Sequence, residues 1–360
     1  MPALQDLWQH LQRQLFPVLT EELGPLGAKD QQFVQVVALL PMGRFLSRYE
    51  WCGNGRPPHE RIWLLHAFIA KAIYQLPTTE ALLAALHARP TLRRLCGWET
   101  AAALPERSTF SRAFEAFAGD ELPQKIHAAL IEVHCAPKLV GHVSRDATAI
   151  EAPERTAPKA VAPPRPARRK GRPRKGTVCP PRTRIERQAT RSLADNLAEL
   201  PQGCDAGCKT DSRGYTRWWR GYKLHLDVVD GDIPVSGLLT SASLHDSQVA
   251  IPLAQLTAAR VTSLYDLMDS AYDAEAIRKF SRGLGHVPII EPRKWVNYVP
   301  LDAAQRQRYR QRTASERVNS RLKEEFGGHT VRVRGASKVM AHLMFGVLVI
   351  AALAIWQRLT

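Results

Sequence analysis

The chain is short of acid. Its 360 residues carry 34 Asp and Glu against 50 Lys and Arg, a formal net charge of +16. That balance points to a polyanionic partner, nucleic acid before membrane. Lysine is scarce beside arginine, 13 to 37, which favours planar, bidentate contact with phosphate or base edges; a GC-rich genome gives the same ratio. Cysteine is sparse. Cys52, Cys96, Cys135, Cys179, Cys204 and Cys208 are scattered and no signal peptide opens the chain, so we read reduced thiols rather than a secreted disulfide framework. The tightest pair, Cys204 and Cys208, with Cys179 upstream and His225 downstream, is poorly spaced for structural zinc. Long apolar runs are missing as well. Leu343 to Trp356 covers 14 residues, short for a bilayer and suited to a buried helix. No internal repeat is evident.

What is present falls into three regions. Residues 1–136 read as helical: 61–76 stops at Pro77, 78–88 restarts behind Thr78 as N-cap, and 105–118 has Ser108 as cap candidate. Helix, short turn, helix in a basic chain permits a helix-turn-helix or a plain bundle. Residues 151–215 form an inserted segment. Between Glu151 and Arg187 it holds 12 basic and 3 acidic residues, and eight prolines fall between 151 and 181, a composition that predicts a flexible arm. Within the arm, Lys170, Arg172, Arg174 and Lys175 surround a Gly-Arg-Pro. This resembles an AT-hook for a narrow minor groove, with Lys170 where such hooks prefer arginine; a non-specific phosphate tether is the competing reading. Residues 137–150 and 216–360 alternate strands and helices as an α/β domain, with strands at 139–151 (ending near Asp146), 221–229, 233–242, 263–269 and 286–292. Helices follow at 245–261, with Asp246 as N-cap, and at 273–285, where Asp273 suits a cap.

The segment "YRQRTASERVNSRLK" then predicts a two-sided helix. At about 100° per residue, Tyr309, Arg312, Glu316 and Lys323 lie within roughly 60° of one another on a stripe about 21 Å long. Ala314, Val318 and Leu322 recur on the opposite side, as a core face does. One carboxylate among three cationic or hydroxyl groups suits a metal beside phosphates; a solvated face is the bland alternative. Asp146 and Asp269 sit at predicted strand ends, where catalytic groups of α/β sheets collect. Three acids converging from three elements are tolerable mainly around divalent cations. The rivals are Asp266, Asp273, Glu324 and Glu325, none of which shares both the face and the position.

These residues carry a resemblance. Tyr309, Arg312, Glu316 and Lys323 match the Y-x2-R-x3-E-x6-K signature of DDE transposases of bacterial insertion sequences, a pattern this composition yields by chance on the order of 0.0015 times. "SRDATAI", "GYKLHLDV", "LHDS" and "LMDSAYD" resemble the neighbouring segments of that family, and 55–86 with 104–114 its helical N-terminal domain. The resemblance implies a ribonuclease H-like fold with an all-α N-terminal domain. It also implies two Mg²⁺ ions, replaceable by Mn²⁺, held by Asp146, Asp269 and Glu316. Arg312 and Lys323 would grip transposon-end phosphates, with Tyr309 beside them. The implied partner is double-stranded DNA, as transposon ends and as target, bound by a homodimer in the bacterial cytoplasm at the nucleoid. The chemistry would be nicking to free a 3′-OH, followed by attack of that 3′-OH on target DNA. A nuclease that does not join strands, and a DNA-binding regulator or inactive relative, are the competing readings. Only about a dozen residues (294–305) separate the last strand from the Glu316 helix, so the β-rich insertion some relatives place there is absent.

Overall fold

The computed structural model describes residues 2–53, 57–136, 138–156, 158, 183–210, 214–293, 299–329 and 331–358. The AT-hook-like residues Lys170, Arg172, Arg174 and Lys175 lie outside them, as does Cys179.

Six strands form one mixed sheet: β1 (Leu139–Glu151), β2 (Asp205–Thr210), β3 (Thr216–Val229), β4 (Ile233–Ser241), β5 (Thr262–Met268) and β6 (Val287–Ile290). Their order is β2-β3-β1-β5-β6, with β4 taking over from β2 along the outer edge of β3. β3 and β4 make the hairpin read from the sequence, turning through Gly231 and Asp232, both at positive φ. β1 does not end near Asp146. Its parallel pairing with β5 stops at Ser144, but its antiparallel pairing with β3 carries it to Glu151.

Part of the segment expected to be flexible is built into the domain. Helices Arg184–Gln188 and Leu193–Glu199 are capped by Thr183 and Ser192, and β2 extends the sheet. Composition changes there. Glu199 gathers Arg184, Arg187 and Arg191, while Leu197 and Leu200 pack with Leu244, Val249 and Leu253.

Helices Ala250–Ala258 and Glu275–Gly283 cover one face of the sheet; Thr313–Glu325 and Ala336–Gln357 cover the other. The last has 22 residues, so the 14-residue apolar run understated it. An 18-residue window reaches mean hydropathy 2.3, enough by length and composition to cross a membrane. Yet 89% of that window is buried inside the protein, because the sheet flanks it on one side and the N-terminal helices on the other. Phe68, from helix Arg61–Ile73, meets Phe110 and Phe117 edge-on and lies 5.8 Å from Phe345 of the last helix. One hydrophobic core therefore runs through both regions, and the N-terminal helices wrap the last helix rather than standing apart.

Thr78 caps its helix as predicted, accepting from the Ala81 amide at 3.1 Å. Ser108 does not cap. Glu106 is extended, the helix begins at Arg107, and Ser108 falls inside the first turn.

Gly346 lets the last helix touch the Glu316 helix. A Cβ there would sit 2.6 Å from Leu322 Cδ1 and 2.9 Å from the Phe326 carbonyl oxygen. Backbone cannot yield cheaply, so Gly346→Ala is expected to lower stability by about 1–3 kcal/mol. Thermal melting checks this, and an unchanged midpoint would show that the helices separate freely.

Candidate functional site

The β1–β5 register sets the site. Leu139 pairs with Thr262 and Ser144 with Leu267 at one constant offset. Continued two residues, that offset sets Asp146 beside Asp269, where β5 has just ended. Asp269 then caps the short turn Ser270–Tyr272, its Oδ1 accepting from the Ala271 amide at 2.9 Å. The Glu316 helix packs over this face through Ala314, Val318 and Leu322, all buried as the periodicity required. Ser144 Oγ donates to the Arg312 carbonyl at 2.7 Å and pins the helix start to β1.

The stripe is real but not uniformly α-helical. Ala303–Tyr309 passes through a 3-10 turn, Arg310–Arg312, into Thr313–Glu325. Three residues per turn eclipse positions i and i+3, so Arg312 rides over the Tyr309 ring at 5.8 Å. Tyr309 Oη donates to Glu291 at 3.1 Å. Gly327, at positive φ, ends the helix as expected, with the Gly328 amide bonded to the Leu322 carbonyl.

Electrostatics tie the acids to one cation. Arg312 ion-pairs with Glu316. Burial pushes the Asp146 carboxyl up to about 6, Arg312 and Lys209 oppose that rise, and Asp269 adds to it. Burial likewise pushes Lys323 down, with Arg217 and Lys209 adding to the effect and Glu151 opposing it.

Among the described residues, no three His, Cys, Asp or Glu side chains are already gathered as a metal site. Glu316 is turned toward Arg312. Glu316 is half-exposed although Arg312 is mostly buried, and an exposed i,i+4 pair is worth only about 0.3–0.5 kcal/mol, so a bound divalent ion can turn it back. The donor chemistry fits a hard divalent cation such as Mg²⁺ or Mn²⁺, since all three side chains offer carboxylate oxygens. Asn319 adds a further oxygen. Its Nδ2 donates to Asp146 Oδ2 at 3.3 Å, while its buried Oδ1 has no partner. Cys204 is buried, Cys208 exposed, and His225 bonds Thr240, so these three gather no zinc site, and the five described cysteines are free thiols.

Three of the rivals, Asp266, Asp273 and Glu325, have other work. Asp266 is buried; His286, Arg145 and Ser281 outweigh the desolvation that would raise it and hold it below the usual carboxylate range. Asp273 is no cap: it binds Arg278 at 2.8 Å and the Arg293 amide at 3.1 Å, and Ala274 takes the cap position. Nor is Asp246, which pairs with Lys223 at 2.8 Å while His245 accepts from the Ser247 amide. Glu325 pairs with Arg321.

This geometry, carboxylates from two neighbouring strands under a helix bearing a third, coincides with what sequence comparison finds. Residues 22–116 match the family described as "Transposase domain (DUF772)", and residues 142–352 the "Transposase DDE domain". The chain belongs to the DDE transposases. Its six-stranded mixed sheet flanked by helices is the family's ribonuclease H-like fold, preceded by the helical region, and it is an enzyme acting on DNA. Comparison with curated proteins and with solved structures finds no match.

Sequence reasoning passed over Asn319, although 316, 319 and 323 continue the 3-4 spacing that links Tyr309, Arg312 and Glu316. Asn319→Ala in this transposase is expected to weaken divalent-ion binding about 10-fold, the lower end for lost supporting partners of metal ligands. Titration of Mn²⁺ by electron paramagnetic resonance measures it, and unchanged affinity would leave Asn319 a packing residue.

Proposed function

We propose that the chain cuts DNA at insertion-sequence ends and joins the freed 3′-OH to target DNA by in-line phosphoryl transfer. In this reading Asp146, Asp269 and Glu316 hold two Mg²⁺ ions. The observation that carries it is the β1–β5 register, which sets two carboxylates from different strands side by side beneath the helix of the third. Divalent ions at that place supply activation of the attacking oxygen and charge stabilisation at the leaving oxygen. The chain's own groups do the rest. Asn319 keeps the Asp146 carboxylate in its rotamer, and Arg312 and Lys323 fix the phosphates flanking the scissile one. Tyr309, clamped between Glu291 and Arg312, supports the cation beside the DNA.

A strand-transfer assay tests this, with a 3′-OH end duplex carrying the repeats that flank the gene and a plasmid target in Mg²⁺. Joined products are expected. Nicking without joining would make the chain a nuclease, and binding without either a regulator; both outcomes reject the proposal.

A further inference from the structure

A cleft of about 1000 Å³ opens beside Asp269. One wall is β1 from Ala147 to Glu151, beyond the end of β5; another is the β2–β3 arm, through Lys209, Arg217 and Lys223. Lys323, from the Glu316 helix, closes the third side. Of the β2–β3 arm only β2 lies within the inserted segment 151–215, so Cys208 and Lys209 are what the insertion contributes to that wall of the cleft.

Among the described residues, the lining holds four cations, Lys209, Arg217, Lys223 and Lys323, and four acids, Glu151, Asp246, Asp269 and Glu324, so pairing rather than net charge sets its preference. Arg217 is paired with Glu151 at 2.6 Å and Lys223 with Asp246 at 2.8 Å. Lys209 and Lys323 have no ion-pair partner among the described residues, and they are close enough for Lys209 to depress Lys323. With Asp269 assigned to the cutting site, two unpaired ammonium groups face one remaining acid, Glu324, and the excess positive charge favours an anion between Lys209 and Lys323. The volume lies at the top of the roughly 300–1,000 Å³ range of small-ligand sites, far too large for a lone ion. It is too small for a duplex, whose major groove alone is about 12 Å wide. An extended phosphodiester chain fits both limits.

We propose that this cleft takes the single DNA strand continuing past the scissile phosphate, with Lys209 and Lys323 each gripping one of its phosphates. This rests on the reading of Asp146 and Asp269 as the cutting site. The strand is either the flank of the element end or one strand of the target.

The test uses the full chain in EDTA, so binding is read without chemistry. Probes are oligo(dT), a blunt duplex, the same duplex with a 3′ or a 5′ dT tail, and a gapped duplex standing for target. Lys209→Ala is expected to lower the slope of log affinity against log salt by about 0.7 on oligo(dT) and on a tailed or gapped probe, leaving the blunt duplex nearly unchanged. Loss on one tail polarity assigns the end flank, and loss on the gapped probe assigns target. Equal loss on blunt duplex, or no loss anywhere, overturns the proposal.

Cys208 lines the same cleft and is exposed. A nucleotide in the responding single strand carrying a tethered 2-pyridyl mixed disulfide should exchange with the Cys208 thiolate, releasing pyridine-2-thione and leaving a disulfide cross-link, a product abolished by Cys208→Ser and kept in Cys52→Ser. Absence of that product in a chain that still joins strands would reject the cleft and spare the cutting site. The product in a chain that never cuts DNA would do the reverse.

Discussion

Asp146→Ala, Asp269→Ala and Glu316→Ala are each expected to reduce DNA cleavage and strand transfer by about 10³-fold or more while end binding persists. Metal-derived stabilisation of an in-line transition state amounts to several kcal/mol, and each 1.36 kcal/mol lost is tenfold in rate. Binding is expected to survive because, in the proposed reading, Arg312, Lys323 and Lys209 rather than the carboxylates hold the DNA. Glu325→Ala is the matched control, exposed on the same helix and tied only to Arg321. Asp266 is unsuitable, since it is buried against His286 and Ser281 and its loss would report on folding. If Glu316→Ala nicked DNA within tenfold of the unaltered chain in Mg²⁺, the third carboxylate would have to be sought elsewhere.

The helix stripe was legible because both its faces follow from a single period: Ala314, Val318 and Leu322 are buried where 3.6 residues per turn demanded. The 3-10 turn at Arg310–Arg312 was not legible, since nothing in Arg-Gln-Arg differs from an ordinary helical run. Asp146 and Asp269 could be named as strand-associated acids. Their adjacency depends on which strands pair in parallel, which no local pattern encodes. Asp246 and Asp273 misled for one reason. A short acid before a helix signals a cap, but each has a basic partner within reach, Lys223 and Arg278, and a charge-assisted bond outcompetes a cap. The arm residue Lys209 was hidden inside a segment judged by the composition of its first half. The capping and apolar signals from Thr183 onward, Ser192, Leu197 and Leu200 among them, were there to be read.

Asp227→Ala is expected to cost about 3–5 kcal/mol of stability, the range for leaving a buried charge without its partner. Asp227 is wholly buried, and Arg145 is 3% exposed on the face of the sheet away from Asp146. The fork is bidentate, Nε to Oδ1 at 2.8 Å and Nη2 to Oδ2 at 2.6 Å, and Thr257 Oγ1 donates to the same carboxylate. Arg145 cannot shed its charge, and its next acid, Asp266, is already engaged by His286 and Ser281. Removing both charges is a different matter. Arg145→Met combined with Asp227→Leu leaves no unpaired ion, and it should recover most of the loss. Urea unfolding of the two single variants and the double measures the cycle. If Asp227→Ala cost under about 1 kcal/mol, water or Asp266 would be reaching Arg145, and the strand behind Asp146 would be held by packing alone.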